Sequence, residues 1–130
     1  MRFLNALKEK ILLFDGAMGT QIQGLDLAPE VWQGKQGLNE LLNLTAPEEI
    51  LKIHSAYLSA GSDIIETNTF GANRIVLSEY GMAESAAEIN YRAALIAGEA
   101  VETLYRNENR TAFVAGSIGP GTKLPSLGQI

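Results

Sequence analysis

Three short apolar runs, Ile11 to Phe14, Asp63 to Glu66 and Thr111 to Ala115, lack the strict alternation of a half-exposed strand. They read as strands of a parallel sheet covered on both faces. Between them the apolar spacing changes to helical. Ile50, Ile53, Tyr57 and Leu58 recur at three- and four-residue intervals. Thr45 followed by Glu48 has the form of a capping box, with Pro47 in the first turn, so a helix is expected to begin near Ala46. Gly61 stands where a left-handed terminating residue is wanted. A shorter helix is predicted from Arg74 to Tyr80, stopping at Gly81. A longer one carries Ala86, Ile89, Ala93, Ile96, Ala97, Ala100, Val101 and Leu104 on one face, and Asn107 to Arg110 form a polar turn after it. Phe3, Leu4, Leu7 and Ile11 mark a short amphipathic helix at the start, while Gln23 to Asn43 reads as loop. The order is β, loop, α, β, α, α, β, an α/β protein with parallel strands.

In parallel folds the chemistry gathers at the C-terminal ends of the strands, and each strand here ends in an unusual segment. In DGAMGT, Asp15 precedes a run of small residues whose amides can form a concave anion nest. A carboxylate beside backbone donors suits a free amino acid, gripped at its ammonium and its carboxylate. A tight βα turn with Asp15 as a local cap fits the same residues. In ETNTFGAN, Thr67 and Asn68 can orient a polar ligand or satisfy loop backbone groups. Glu66 stands as a rim carboxylate or a partner for Arg74, and Phe70 is read as packing. In GSIGPG, Gly119 and Pro120 fix a sharp turn that permits close backbone approach, with Ser117 a possible hydroxyl donor.

Composition narrows the function classes. The chain carries 15 acidic against 10 basic side chains, so neither nucleic acid nor an anionic membrane surface is an expected partner. No stretch approaches the roughly 20 apolar residues that span a bilayer, and Lys8, Glu9 and Lys10 interrupt any signal-peptide core. The absence of cysteine removes thiolate nucleophiles and thiolate metal sites, and suits a reducing, cytoplasmic setting. His54, the only histidine, lies on a helix away from the strand ends and is expected to be a surface or packing residue. Glycines at 16 and 19 do not match the dinucleotide fingerprint, which disfavours a nucleotide domain.

Taken in order, FDGAMGTQIQ, NLTAPEEILKIHSAYLSAGSDIIETNTFGAN and AGSIGPG resemble the start of the homocysteine-binding domain shared by cobalamin-dependent methionine synthases and betaine–homocysteine methyltransferases. GSDIIETNTFGAN together with AEINYRAA looks most like the cobalamin-dependent bacterial enzymes. The resemblance implies a (β/α)8 TIM barrel, of which residues 1–130 would form a partial domain holding about three strands. It implies that Asp15 binds the amino group of homocysteine, that the loop through Gly16, with the backbone of Ala17, Met18 and Gly19, takes its carboxylate, and that Thr67 lines the same pocket. It also implies methyl transfer to the homocysteine sulfur, activated as a thiolate by zinc on three cysteines of later strands. The resemblance to the cobalamin-dependent enzymes implies methylcobalamin as donor, whereas betaine or S-methylmethionine serve relatives, and the sequence itself does not choose among them. None of those cysteines is in this chain, and a barrel takes about 250 residues. The chain is therefore expected to be a fragment, inactive alone, whose partners are homocysteine, the remainder of the barrel and the cobalamin and folate domains of a parent protein. A self-associating α/β module that pairs its open strand edges is the alternative expectation, which a monodisperse monomer in light scattering would contradict.

Overall fold

The computed structural model describes residues 2–129. Helix α1 spans Phe3–Glu9, and an extended segment then leads to the five-residue helix α2, Gly19–Gln23. Next come α3 (Leu42–Thr45), α4 (Pro47–Ala60), β1 (Ile64–Glu66), α5 (Arg74–Ser78), α6 (Ala86–Glu108) and β2 (Phe113–Ala115). Strands β1 and β2 pair in parallel, with Ile64 opposite Phe113 and Glu66 opposite Ala115. The result is a mixed α/β chain with a small parallel sheet.

The first predicted strand, Ile11 to Phe14, is reduced to a single parallel bridge between Phe14 and Ile64. The physical reason is a competing acceptor and an uncovered face. The Leu13 amide donates to the Asp63 carboxylate at 3.0 Å, while Leu13 and Phe14 are each 57% exposed. The segment still runs alongside β1: Asp63 and Ile64 donate to the Leu13 carbonyl, and Asp15 donates to the Ile64 carbonyl at 2.8 Å. Asp63 anchors this arrangement. Burial alone would raise its pKa, but the Leu13 amide, the Lys10 ammonium at 2.9 Å and the Arg110 guanidinium together hold it below the usual carboxylate range. Arg110 in turn donates to the carbonyls of Leu58 and Ser62, closing the end of α4 onto the start of β1.

Helix α4 follows its periodicity, burying Ile50, Ile53 and Leu58 against α6, α3 and β1 and ending at Gly61 with φ of 114°. Each such side chain contributes about 1.5–3 kcal/mol relative to exposure. Helix α6 buries Ile89, Ala93, Ile96, Ala97, Ala100 and Leu104, and ends at Asn109 in the left-handed region, two residues into the predicted polar turn. The capping box is not formed. Thr45 closes α3, and its hydroxyl donates back to the Leu41 carbonyl at 3.3 Å, because the buried pair Leu41 and Leu42 draws residues 39–45 into helical turns. Pro47 alone starts α4. Helix α5 is shorter than predicted, and Asn73 caps it by accepting from the Val76 amide.

The segment from Gln23 to Asn43 contains 3₁₀ turns at Pro29–Trp32 and Asn39–Leu41. It packs Leu25, Leu27, Val31 and Trp32 onto a core of Ile22, Leu42, Ile50, Ile53 and Ile96. Helix α1 exists, but of its seven residues Ala6 is the buried one, and Leu4 is 69% exposed. No helix among the described residues is long and apolar enough to cross a membrane. His54 is a packing residue, not a surface one. Its side chain is fully buried on the core face of α4, neither ring nitrogen has a hydrogen-bond partner among the described residues, and burial pushes its pKa down to about 4.

Candidate functional site

The three strand-end segments meet. Asp15 to Thr20, Glu66 to Phe70 and Ser117, joined by Asn39 and Glu40, line one cleft of about 520 Å³, a size within the range of small-molecule sites. Gly16, Ala17, Thr20 and Phe70 are exposed along its mouth. Phe70, 61% exposed, is part of this lining rather than of a core.

Asp15 is placed by the bridge between its segment and β1, and its Oδ2 accepts the Glu66 amide at 3.0 Å. Its Oδ1 is buried with no partner among the described residues. Burial raises the Asp15 pKa, the Glu66 amide opposes that, and the charge of Glu66 adds to the rise. A cation beside Oδ1 would relieve both the burial and the repulsion. Just after it, none of the amides of Gly16, Ala17, Met18 and Gly19 donates within the chain among the described residues. One side of the cleft thus offers an unpaired carboxylate oxygen next to a run of free N–H donors.

The other side is a closed network. The Thr69 hydroxyl donates to the Ser117 carbonyl at 2.8 Å, and the Ser117 amide donates to Thr67 Oγ1 at 3.1 Å. The two threonine oxygens lie 2.6 Å apart. A hydroxyl has one proton, so the arrangement that satisfies all three contacts has Thr67 donating to Thr69. Thr67 is left with one acceptor site and no donor for a ligand. Asn68 also lines the cleft, but its side-chain N–H groups donate to the Asn39 carbonyl and to Asn43 Oδ1, and its backbone carbonyl accepts from Asn43. Glu66 stays at the rim, since Arg74 pairs with Glu84 at 2.8 Å. Ser117 joins the network through its backbone.

A protein-family model described as homocysteine S-methyltransferase matches residues 12–129. The chain belongs to the homocysteine S-methyltransferase family. It is 42% identical over 126 residues to a methionine synthase of Mycobacterium tuberculosis and 41% identical to one of Mycobacterium leprae. In both cases 97% of this chain is covered, and the chain spans about a tenth of the relative's length. Among solved structures it is similar to the homocysteine methyltransferase MmuM from Escherichia coli in its metallated form, at 31% identity and a TM-score of 0.71. That match covers 90% of this chain and 41% of the other. The oxidized form of MmuM gives the same TM-score and identity.

All six residues singled out from the family resemblance, Asp15, Gly16, Ala17, Met18, Gly19 and Thr67, line the cleft. Sequence reasoning missed Asn39, Glu40 and Thr69. Glu40 is buried and accepts the Gly71 amide at 2.8 Å, fixing the loop after β1. It comes from the stretch read as loop, where the one available signal was an acidic residue before a leucine-rich turn.

Proposed function

We propose that the cleft holds the amino-acid end of homocysteine, and that this chain is the N-terminal part of a methionine synthase whose fold is a (β/α)8 barrel. The observation that carries this reading is the buried, unpartnered Asp15 Oδ1 beside the free amides of Gly16 to Gly19. A zwitterionic amino acid matches it group for group: ammonium to Asp15 and to the remaining lone pair of Thr67, carboxylate to the amides. Family membership and the named relatives support homocysteine as that amino acid.

The reaction of the parent protein is methyl transfer to the homocysteine sulfur, with zinc, methylcobalamin and methyltetrahydrofolate as its further components. The residues present here do not fit a zinc centre. The chain has no cysteine, no group of three His, Cys, Asp or Glu among the described residues is placed to hold a metal, and His54 is sealed in the core. Thiol activation is assigned to residues outside this chain, and no step of it is derived from the side chains described here. The part that falls to this chain is to bind and orient the amino acid in a cytoplasmic enzyme, without catalysis of its own.

Asp15→Asn tests the binding role. The amide keeps the shape and can still accept from Glu66, but loses the charge for the ammonium. Calorimetric titration with L-homocysteine is expected to show binding weakened about 10- to 100-fold, as for a charge-assisted hydrogen bond. The variant should be as stable as the parent at neutral pH or more so, because the raised pKa of Asp15 means that folding disfavours its charge. Unchanged affinity would remove Asp15 from the site.

A further inference from the structure

Tyr57 stands outside the cleft, yet it touches the loop that forms one of its walls. It lies on the last turn of α4, half-buried against two core clusters, one built on Ile50 and Ile53, the other on Leu58 and Ile65. Its hydroxyl donates to the Ala17 carbonyl at 2.7 Å. Its ring closes over Gly16, where an added Cβ would sit 3.0 Å from the hydroxyl oxygen and 3.2 Å from the ring. Ala17 and Met18 line the cleft and Tyr57 does not. It therefore reaches the loop from the side away from the ligand space.

We propose that Tyr57 is a positioning residue that sets the direction in which the Met18 amide is offered to a ligand carboxylate. No cis peptide occurs among the described residues, and in a trans peptide the C=O and the following N–H point in opposite directions. Holding the Ala17 carbonyl toward Tyr57 turns the Met18 N–H away from it, to the cleft side. The Met18 side chain packs against the same core cluster as Tyr57, so the loop is held at two successive residues and the amide is oriented before any ligand arrives. Such preorganisation removes an ordering cost from binding. A tyrosine is required because phenylalanine would keep the packing and lose the tether.

This inference rests on the carboxylate-binding role of the loop, and its test separates the two. In Tyr57→Phe, the 15N order parameters of the Ala17 and Met18 amides in the unliganded protein are expected to fall from rigid-backbone values of about 0.85 to below about 0.6, with those along α6 unchanged. Affinity for L-homocysteine should fall about fivefold, the value of one ordinary hydrogen bond. Affinity for 3-aminopropane-1-thiol, which lacks the carboxylate, should not change. Order parameters at Ala17 and Met18 that match the parent overturn the proposal, and so does an equal loss of affinity for both ligands. If the parent protein binds no homocysteine, the proposed function fails, and the order parameters still judge the tether.

Discussion

Gly119→Ala is expected to cost about 3 kcal/mol of folding stability. A Cβ at this position would overlap the carbonyl oxygen of Phe70 and press on its ring. The obstacle is backbone, so no rotamer change relieves it, and overpacking of this kind costs roughly 1–3 kcal/mol. Moving the two loops apart also strains the Thr69 to Ser117 and Ser117 to Thr67 hydrogen bonds, each worth about 1 kcal/mol. Urea unfolding of Gly119→Ala beside Gly116→Ala measures the effect, since an added Cβ at Gly116 meets nothing within 4 Å. Equal midpoints for the two variants would mean that the loops are not in contact as described.

The second large effect is a loss of stability in mild acid. The His54 pKa falls from 6.5 to about 4 on folding because burial disfavours the charged ring. As pH drops below the unfolded value, the unfolded chain takes up a proton that the folded chain refuses. Stability should then decline by about 1.4 kcal/mol per pH unit, reaching a loss of about 3 kcal/mol near pH 4. Asp63 adds to the loss only at lower pH: its depressed pKa gives a contribution present above the unfolded carboxylate value and lost as pH falls through the folded one. Asp15 has the opposite sign, its raised pKa favouring the folded state as it takes up a proton. His54 is the sole histidine, so His54→Leu should flatten the profile between pH 6.5 and 5 and raise stability at pH 7, where two unpartnered ring nitrogens are removed from the core. A slope that survives in His54→Leu would place the titrating group elsewhere.

Local patterns carried much of the fold. The helical period of Ile50, Ile53 and Leu58, and of Ile89 through Leu104, located α4 and α6, and Gly61 marked its left-handed turn. The convergence of DGAMGT, ETNTFGAN and GSIGPG on one cleft followed from the common direction of parallel strands. What was not legible depended on contacts between distant segments. The pairing of Glu40 with Gly71 spans 31 residues, and nothing near Glu40 marks it. The carboxylate of Asp63 takes the Leu13 amide across 50 residues, which cuts the first strand to a bridge. Thr45 had the spelling of a cap, but the burial of Leu41 and Leu42 gave it to the preceding helix. Asn68 lines the cleft as its composition suggested, yet its side-chain N–H groups are taken by Asn39 and Asn43. Asparagine and threonine serve loops and ligands by the same hydrogen bonds, so composition alone does not divide them.

In the proposed function this cleft grips an amino acid at both its charged ends. Titration of the isotopically labelled chain with L-homocysteine, followed through backbone amide resonances, tests it most directly. The expected result is saturable shifts at Gly16 to Gly19, with the neighbouring amides of Glu66 and Thr67 responding, and silence along Val101 to Thr111, the last turns of α6 and the residues just after it. Absence of saturable binding, or shifts centred away from Asp15 and the loop that follows it, would mean that the cleft does not hold the amino acid.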